Sequence, residues 1–247
     1  MQITTFAIVI KKKDYKDSDK IVSFITEDLG KISAIGKFAK KSIKRNLNLL
    51  DFGYLLKVKL RYYSAKELFF IEKITVVENF LPEYNYNKFL ITSFVNELLF
   101  YVVYGTEESS GLFRLTLEFF RDLSVTDKNR FGLIFSVLTR YKIKLLETLG
   151  YKIILDKCIV CGEEKTLYYY SLDKIGFICN RCKKDTSGVN VYQGTKKVLA
   201  NLEKNIKISM PITSQLDEIF SANMEKIVSI NGFNKINRLY AVIKNGI

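Results

Sequence analysis

The four cysteines of this chain fall in one short stretch, as Cys158-Ile-Val-Cys161 and Cys179-Asn-Arg-Cys182, with residues 162–178 between the two pairs. A Cys-x2-Cys pair turns two sulfurs toward one point, and two pairs joined by a hairpin of about 15–20 residues close a tetrahedral Zn2+ site. The intervening segment can supply that hairpin. Residues 167–172 are tyrosine-rich and strand-like, Ile175-Gly176-Phe177 returns the chain, and Gly162 suits the tight turn after the second ligand. One structural zinc held by Cys158, Cys161, Cys179 and Cys182 is therefore expected. Four thiolates fill the coordination shell and leave no position for an activated water, so the metal is expected to clamp the fold and not to catalyse. A disulfide pair or a redox dithiol accounts less well for two spaced pairs in a reducing compartment.

The sequence contains no histidine. That removes the usual general base, the Ser-His and Cys-His nucleophile pairs and every imidazole metal ligand, so most familiar hydrolase mechanisms are excluded; carboxylate or lysine chemistry stays open in principle, and the expectation is a protein without a catalytic centre. Residues 1–10 carry no charge before their apolar stretch, and Lys11 to Lys13 follow it, the reverse of a secretory signal. The most apolar later segment, 89–104, is broken by Asn96 and Glu97 and falls short of a membrane span. A soluble cytoplasmic protein without a membrane partner is expected.

Hydrophobic periodicity changes once along the chain. Residues 4–10, 20–27, 31–38, 54–63 and 67–79 read as strands separated by polar turns. Five strands in so short a stretch fit a small barrel, of which the OB-fold is the nucleic-acid-binding example, with an SH3-like barrel as the alternative. Beyond Pro82 the apolar spacing becomes helical: Leu90, Phe94, Leu98 and Val102, then Leu112, Leu115, Phe119 and Leu123, then Phe131, Ile134, Leu138, Tyr141, Leu145 and Leu149. Three further helical patterns follow the cysteines. The expected fold class is α+β. An OB-fold domain covers 1–80, and a helical domain covers 81–247 with the zinc-binding insert at about 155–190.

Net charge is +13, and residues 1–80 contribute 16 basic against 9 acidic side chains, whereas residues 81–150 balance at 8 of each. An excess concentrated at one end favours a polyanionic partner. Between 31 and 45 stand Lys31, Lys37, Lys40, Lys41, Lys44 and Arg45 with no acidic residue among them. In the strand from Tyr54, period-2 alternation sends Leu56, Val58 and Leu60 into the core and Lys57, Lys59 and Arg61 outward. A cationic groove of this kind neutralises phosphates, and the nearby aromatics Phe38, Tyr54, Tyr62 and Tyr63 are candidates for stacking on bases, Tyr62 foremost.

Three stretches resemble the RecO family of recombination and repair proteins. They are Asp19-Lys20-Ile21-Val22, then Thr26-Glu27-Asp28-Leu29-Gly30-Lys31-Ile32-Ser33-Ala34, then Lys37-Phe38-Ala39-Lys40-Lys41. Leu145-Leu146-Glu147-Thr148-Leu149-Gly150-Tyr151, leading into Cys158-Ile-Val-Cys161-Gly162, resembles it too. Phe38 and Asp51-Phe52 depart from the family pattern, which often has Gly after the lysine and Pro before the phenylalanine. The resemblance implies an OB-fold that binds single- and double-stranded DNA, a helical domain and a zinc module. It also implies annealing of complementary strands, a complex with RecR, contact with the single-strand-binding protein, indirect help to RecA, and a nucleoid-associated place in the cytoplasm. Two other classes are a nucleic-acid-processing enzyme, which needs a carboxylate cluster or open metal site, and a zinc-containing sequence-specific transcription regulator. Both leave the N-terminal charge unexplained.

Overall fold

The computed structural model describes residues 1–37, 50–64, 68–80, 86–103, 109–127, 130–164, 167–184, 186–203 and 207–245. Five strands lead: β1 (Gln2–Tyr15), β2 (Asp19–Thr26), β3 (Gly30–Gly36), β4 (Tyr54–Tyr63) and β5 (Leu68–Asn79). They close into a barrel in the order β1-β2-β3-β5-β4, with β4 returning to β1. The β3–β5 pairing is parallel, Ala34 beside Phe69, and the other pairings are antiparallel. This closed five-stranded order is that of the OB-fold and decides against an SH3-like barrel.

Alternation fills the barrel as period-2 geometry requires. Val9, Val22, Phe24, Ala34, Leu56, Val58, Leu60, Ile71 and Ile74 meet in one core. Two strands break the alternation. Residues 7–10 of β1 and 22–26 of β2 are buried without interruption, so Ile8, Ile10 and Ile25, which point away from the core, are covered from outside. The cover is helical: α1 (Tyr86–Val102) packs on β1, and α2 (Ser109–Val125) packs on β2 and β3. Lys11 of β1 lies 2.6 Å from the Glu97 carboxylate of α1, and Phe80 stacks on Phe120 of α2 with centroids 5.7 Å apart.

The remaining elements are α3 (Phe131–Thr148), β6 (Tyr169–Ser171), β7 (Gly176–Ile178), β8 (Gly188–Asn190), α4 (Gln193–Leu199), α5 (Met210–Ile227) and α6 (Ile230–Asn245). Compactness divides the chain into Met1–Val125 with Asn234–Ile247, and Thr126–Phe233. The border expected at residue 80 is a change from strand to helix and falls inside the first unit, because α1 and α2 bury the outer side of the barrel. Tyr240 of α6 packs on Phe94 of α1 within that unit.

In the second unit α3 and α5 are joined by a buried ion pair, Lys142 to Asp217 at 2.5 Å, and Lys142 also lies over the Phe220 ring. Asn223 of α5 donates to the Tyr170 hydroxyl at 3.0 Å and fixes the helix to β6. Burial pushes that phenol up to about 12, so it stays protonated. No described helix is long and apolar enough to cross a membrane.

Candidate nucleic-acid interface and metal centre

On β4 the residues Leu56, Val58 and Leu60 are buried while Lys57, Lys59 and Arg61 are exposed. The three cations share the outer face of the barrel with their neighbours in register. Lys57 stands between Phe6 and Thr75, Lys59 between Thr4 and Lys73, and Arg61 between Gln2 and Phe70. Opposed residues of paired strands point to one side, so this is a single surface. It ends at Lys57, since the next outward row, Ile8 and Leu55, is buried.

Not every cation on this surface is free. A bulge in the β4–β5 ladder between Lys59 and Leu60 leaves Glu72 without an opposite residue. Its carboxylate lies 2.5 Å from Arg61 Nε and 3.9 Å from Lys59 Nζ, and accepts a hydrogen bond from Gln2. At the open end of β4, Tyr63 meets Phe70 edge-on at 5.1 Å, and Lys37 lies over the Phe70 ring at 5.3 Å.

Other expected residues are placed apart from this surface. Lys31 is in β3, where its ammonium donates to the Phe100 carbonyl of α1 at 2.8 Å and burial lowers its pKa. Tyr62 packs on Phe69 at the mouth of the barrel, and Tyr54 rests against the core. Lys40, Lys41, Lys44, Arg45 and Phe38 lie outside the described residues. Sequence reasoning missed Phe6, Phe70, Glu72 and Lys73. For the three residues of β5 the bulge is the reason: Phe70 and Lys73 share a side although they are three positions apart, which simple alternation forbids.

The second constellation is built from two tight turns and a three-stranded sheet in the order β7-β6-β8. Gly162 has φ of 73°, a conformation glycine adopts at no steric cost, and its amide donates to the Cys158 carbonyl at 2.9 Å. The Cys182 amide closes the other turn on Cys179 at 3.0 Å, and the Ile159 amide ties the first turn to Phe177 of β7. The four Sγ atoms lie within 4.8 Å of one another, with Cys161 and Cys179 at 3.7 Å. A tetrahedral site with Zn–S of about 2.3 Å requires sulfurs about 3.8 Å apart, so the donor set fits. None of the four is in a disulfide.

The thiols differ in acidity. Burial raises Cys158, but amides of Cys161, Cys179 and Val160 donate to its sulfur and bring it to about 6. Hydrogen bonding with the Cys161 sulfur and burial push Cys182 up to about 12.

The family model described as Recombination protein O N terminal matches residues 1–80, and that described as Recombination protein O C terminal matches residues 83–222. Among curated proteins, the chain is 30% identical over 236 residues to a DNA repair protein RecO of Caldanaerobacter subterraneus, covering 89% of this chain and 90% of the relative. A protein of the same name from a Thermoanaerobacter species is 30% identical, covering 96% of this chain and 98% of its own length. One from Clostridium kluyveri is 31% identical, covering 94% and 89%.

Proposed function

Because this chain belongs to the RecO family of DNA repair proteins, we propose that it binds single- and double-stranded DNA and anneals complementary strands with no covalent step. In this reading it works in the cytoplasm on the nucleoid. It joins RecR, docks on the single-strand-binding protein and so helps RecA onto coated DNA. The observation that carries the DNA-binding part is the exposed row Lys57, Lys59 and Arg61 on a closed OB-fold barrel. Cations about 6.6 Å apart along a strand can follow an extended phosphate chain, and holding one strand raises its local concentration for the complement. Lys37 adds to this basic region, and in this reading Lys40, Lys41, Lys44 and Arg45, which lie outside the described residues, bind DNA as well. Lys31, engaged by α1, contributes less.

Cys158, Cys161, Cys179 and Cys182 would hold one zinc, which would supply a fixed fourfold clamp for the β6–β8 sheet and no catalytic water. The test combines metal analysis with strand annealing on one purified sample. One equivalent of zinc and faster annealing of complementary oligonucleotides are expected. If about five to eight phosphates are neutralised, single-strand affinity falls with a log-log salt slope of roughly −3.5 to −6, and Lys57→Ala reduces the slope by about 1. Absence of annealing, or affinity independent of salt, would refute the reading.

A further inference from the structure

The OB-fold commonly takes oligonucleotides on the β2–β3 side, but here α2 packs on those strands and α1 draws Lys31 of β3 to itself. The opposite outer side, made of β4, β5 and the start of β1, is exposed at Lys57, Lys59, Arg61, Tyr63, Lys73 and Thr75. It carries cations in the middle and aromatic rings at both ends: Tyr63 with Phe70 at one, Phe6 at the other. Charge alone suits any nucleic acid. Rings open to solvent, as Tyr63 and Phe6 are and Phe70 is in part, suit bases that are free to stack, and duplex DNA keeps its bases inside.

We infer that this face is a track for single-stranded DNA in which Tyr63 and Phe70 form the base platform and Glu72 stands in for a phosphate at Arg61. The inference rests on the DNA-binding reading above and deepens it. Glu72 is fixed by the bulge, touches Arg61 at 2.5 Å and reaches toward Lys59. An arriving phosphate takes over the guanidinium fork, while the carboxylate, only partly exposed, stays nearby and repels it. Glu72 therefore orients Arg61 in the free protein and weakens the grip on DNA, which favours a strand that must later be handed to its complement. Lys73, the neighbour of Lys59 across the ladder, carries no described ion pair and receives a phosphate directly.

The sequence has no tryptophan, so Tyr63→Trp in the full chain gives a reporter without background. Titration with oligo(dT) should quench that fluorescence, and a blunt hairpin duplex should leave it nearly unchanged. By anisotropy, Phe70→Ala with Tyr63→Ala should weaken oligo(dT) binding roughly tenfold while duplex binding changes far less. Glu72→Gln should tighten oligo(dT) binding about two- to fivefold, and Lys73→Glu should weaken it. The last two substitutions are at the surface, so they speak even if the aromatic double variant unfolds. Equal quenching by duplex, an unchanged oligo(dT) affinity in a folded aromatic variant, or weaker binding by Glu72→Gln would overturn the inference and leave DNA binding standing. If the unaltered protein bound neither oligonucleotide, the DNA-binding reading itself would fall.

Discussion

At the scale of single residues, the charges drawn into the helices have definite energetic roles. Glu97 is almost buried and faces Lys11 at 2.6 Å and Lys235 at 2.7 Å. Burial pushes its carboxyl up, but hydrogen bonds from Lys11 and Lys235 win, and the net value lies below the ordinary 4.5. A depressed folded pKa contributes stability above the unfolded value and loses it as pH falls through the folded one. Glu97→Gln should therefore cost about 1.5–3 kcal/mol at neutral pH. The gap from the unaltered protein should close as the solution is acidified below the ordinary carboxylate range, as urea titrations at several pH values would reveal. The Lys142–Asp217 pair is more deeply buried. Asp217→Ala leaves an ammonium without that counterion in the interior and should cost about 3–5 kcal/mol, whereas Lys142→Met with Asp217→Leu should cost much less. Chemical denaturation of the two variants beside the unaltered protein distinguishes these outcomes.

At the scale of elements, the β6–β8 sheet is three short strands of three residues each. So little pairing is marginal alone, and the cysteine turns at its edge are what a metal would tighten. Removing the metal with a chelator, or replacing Cys161 with Ser, should lower the melting temperature and open residues 158–191 to protease, with zinc release measured in the same sample. Two strands of this sheet were legible from the tyrosine run and the glycine return. The third, β8, was not, because Gly188 lacks strand propensity and is admitted by contact: a Cβ there would stand 2.2 Å from the Tyr170 carbonyl oxygen. β4 shows the opposite case, since its alternation placed Lys57, Lys59 and Arg61 correctly on one exposed face. β5 was located by its apolar residues, yet its bulge concealed which side chains join that face.

At the scale of the whole molecule, the barrel is not self-sufficient. Ile8, Ile10 and Ile25 on its outside are almost completely buried, which makes α1 and α2 part of its fold. A fragment of residues 1–80 should bind a hydrophobic dye and melt well below the intact chain, because it exposes those side chains to water. An equal melting temperature would contradict this. The four-sulfur spacing, the five strands, the helical stripes and the cationic row of β4 are legible along the chain, since each follows from periods and spacings within a short stretch. Which side of the barrel is covered, the turn of Lys31 to a helix carbonyl and the seat of Glu72 against Arg61 emerge only on folding. Those outcomes depend on strand register and on helices far along the chain, and a local pattern of polar and apolar residues specifies neither.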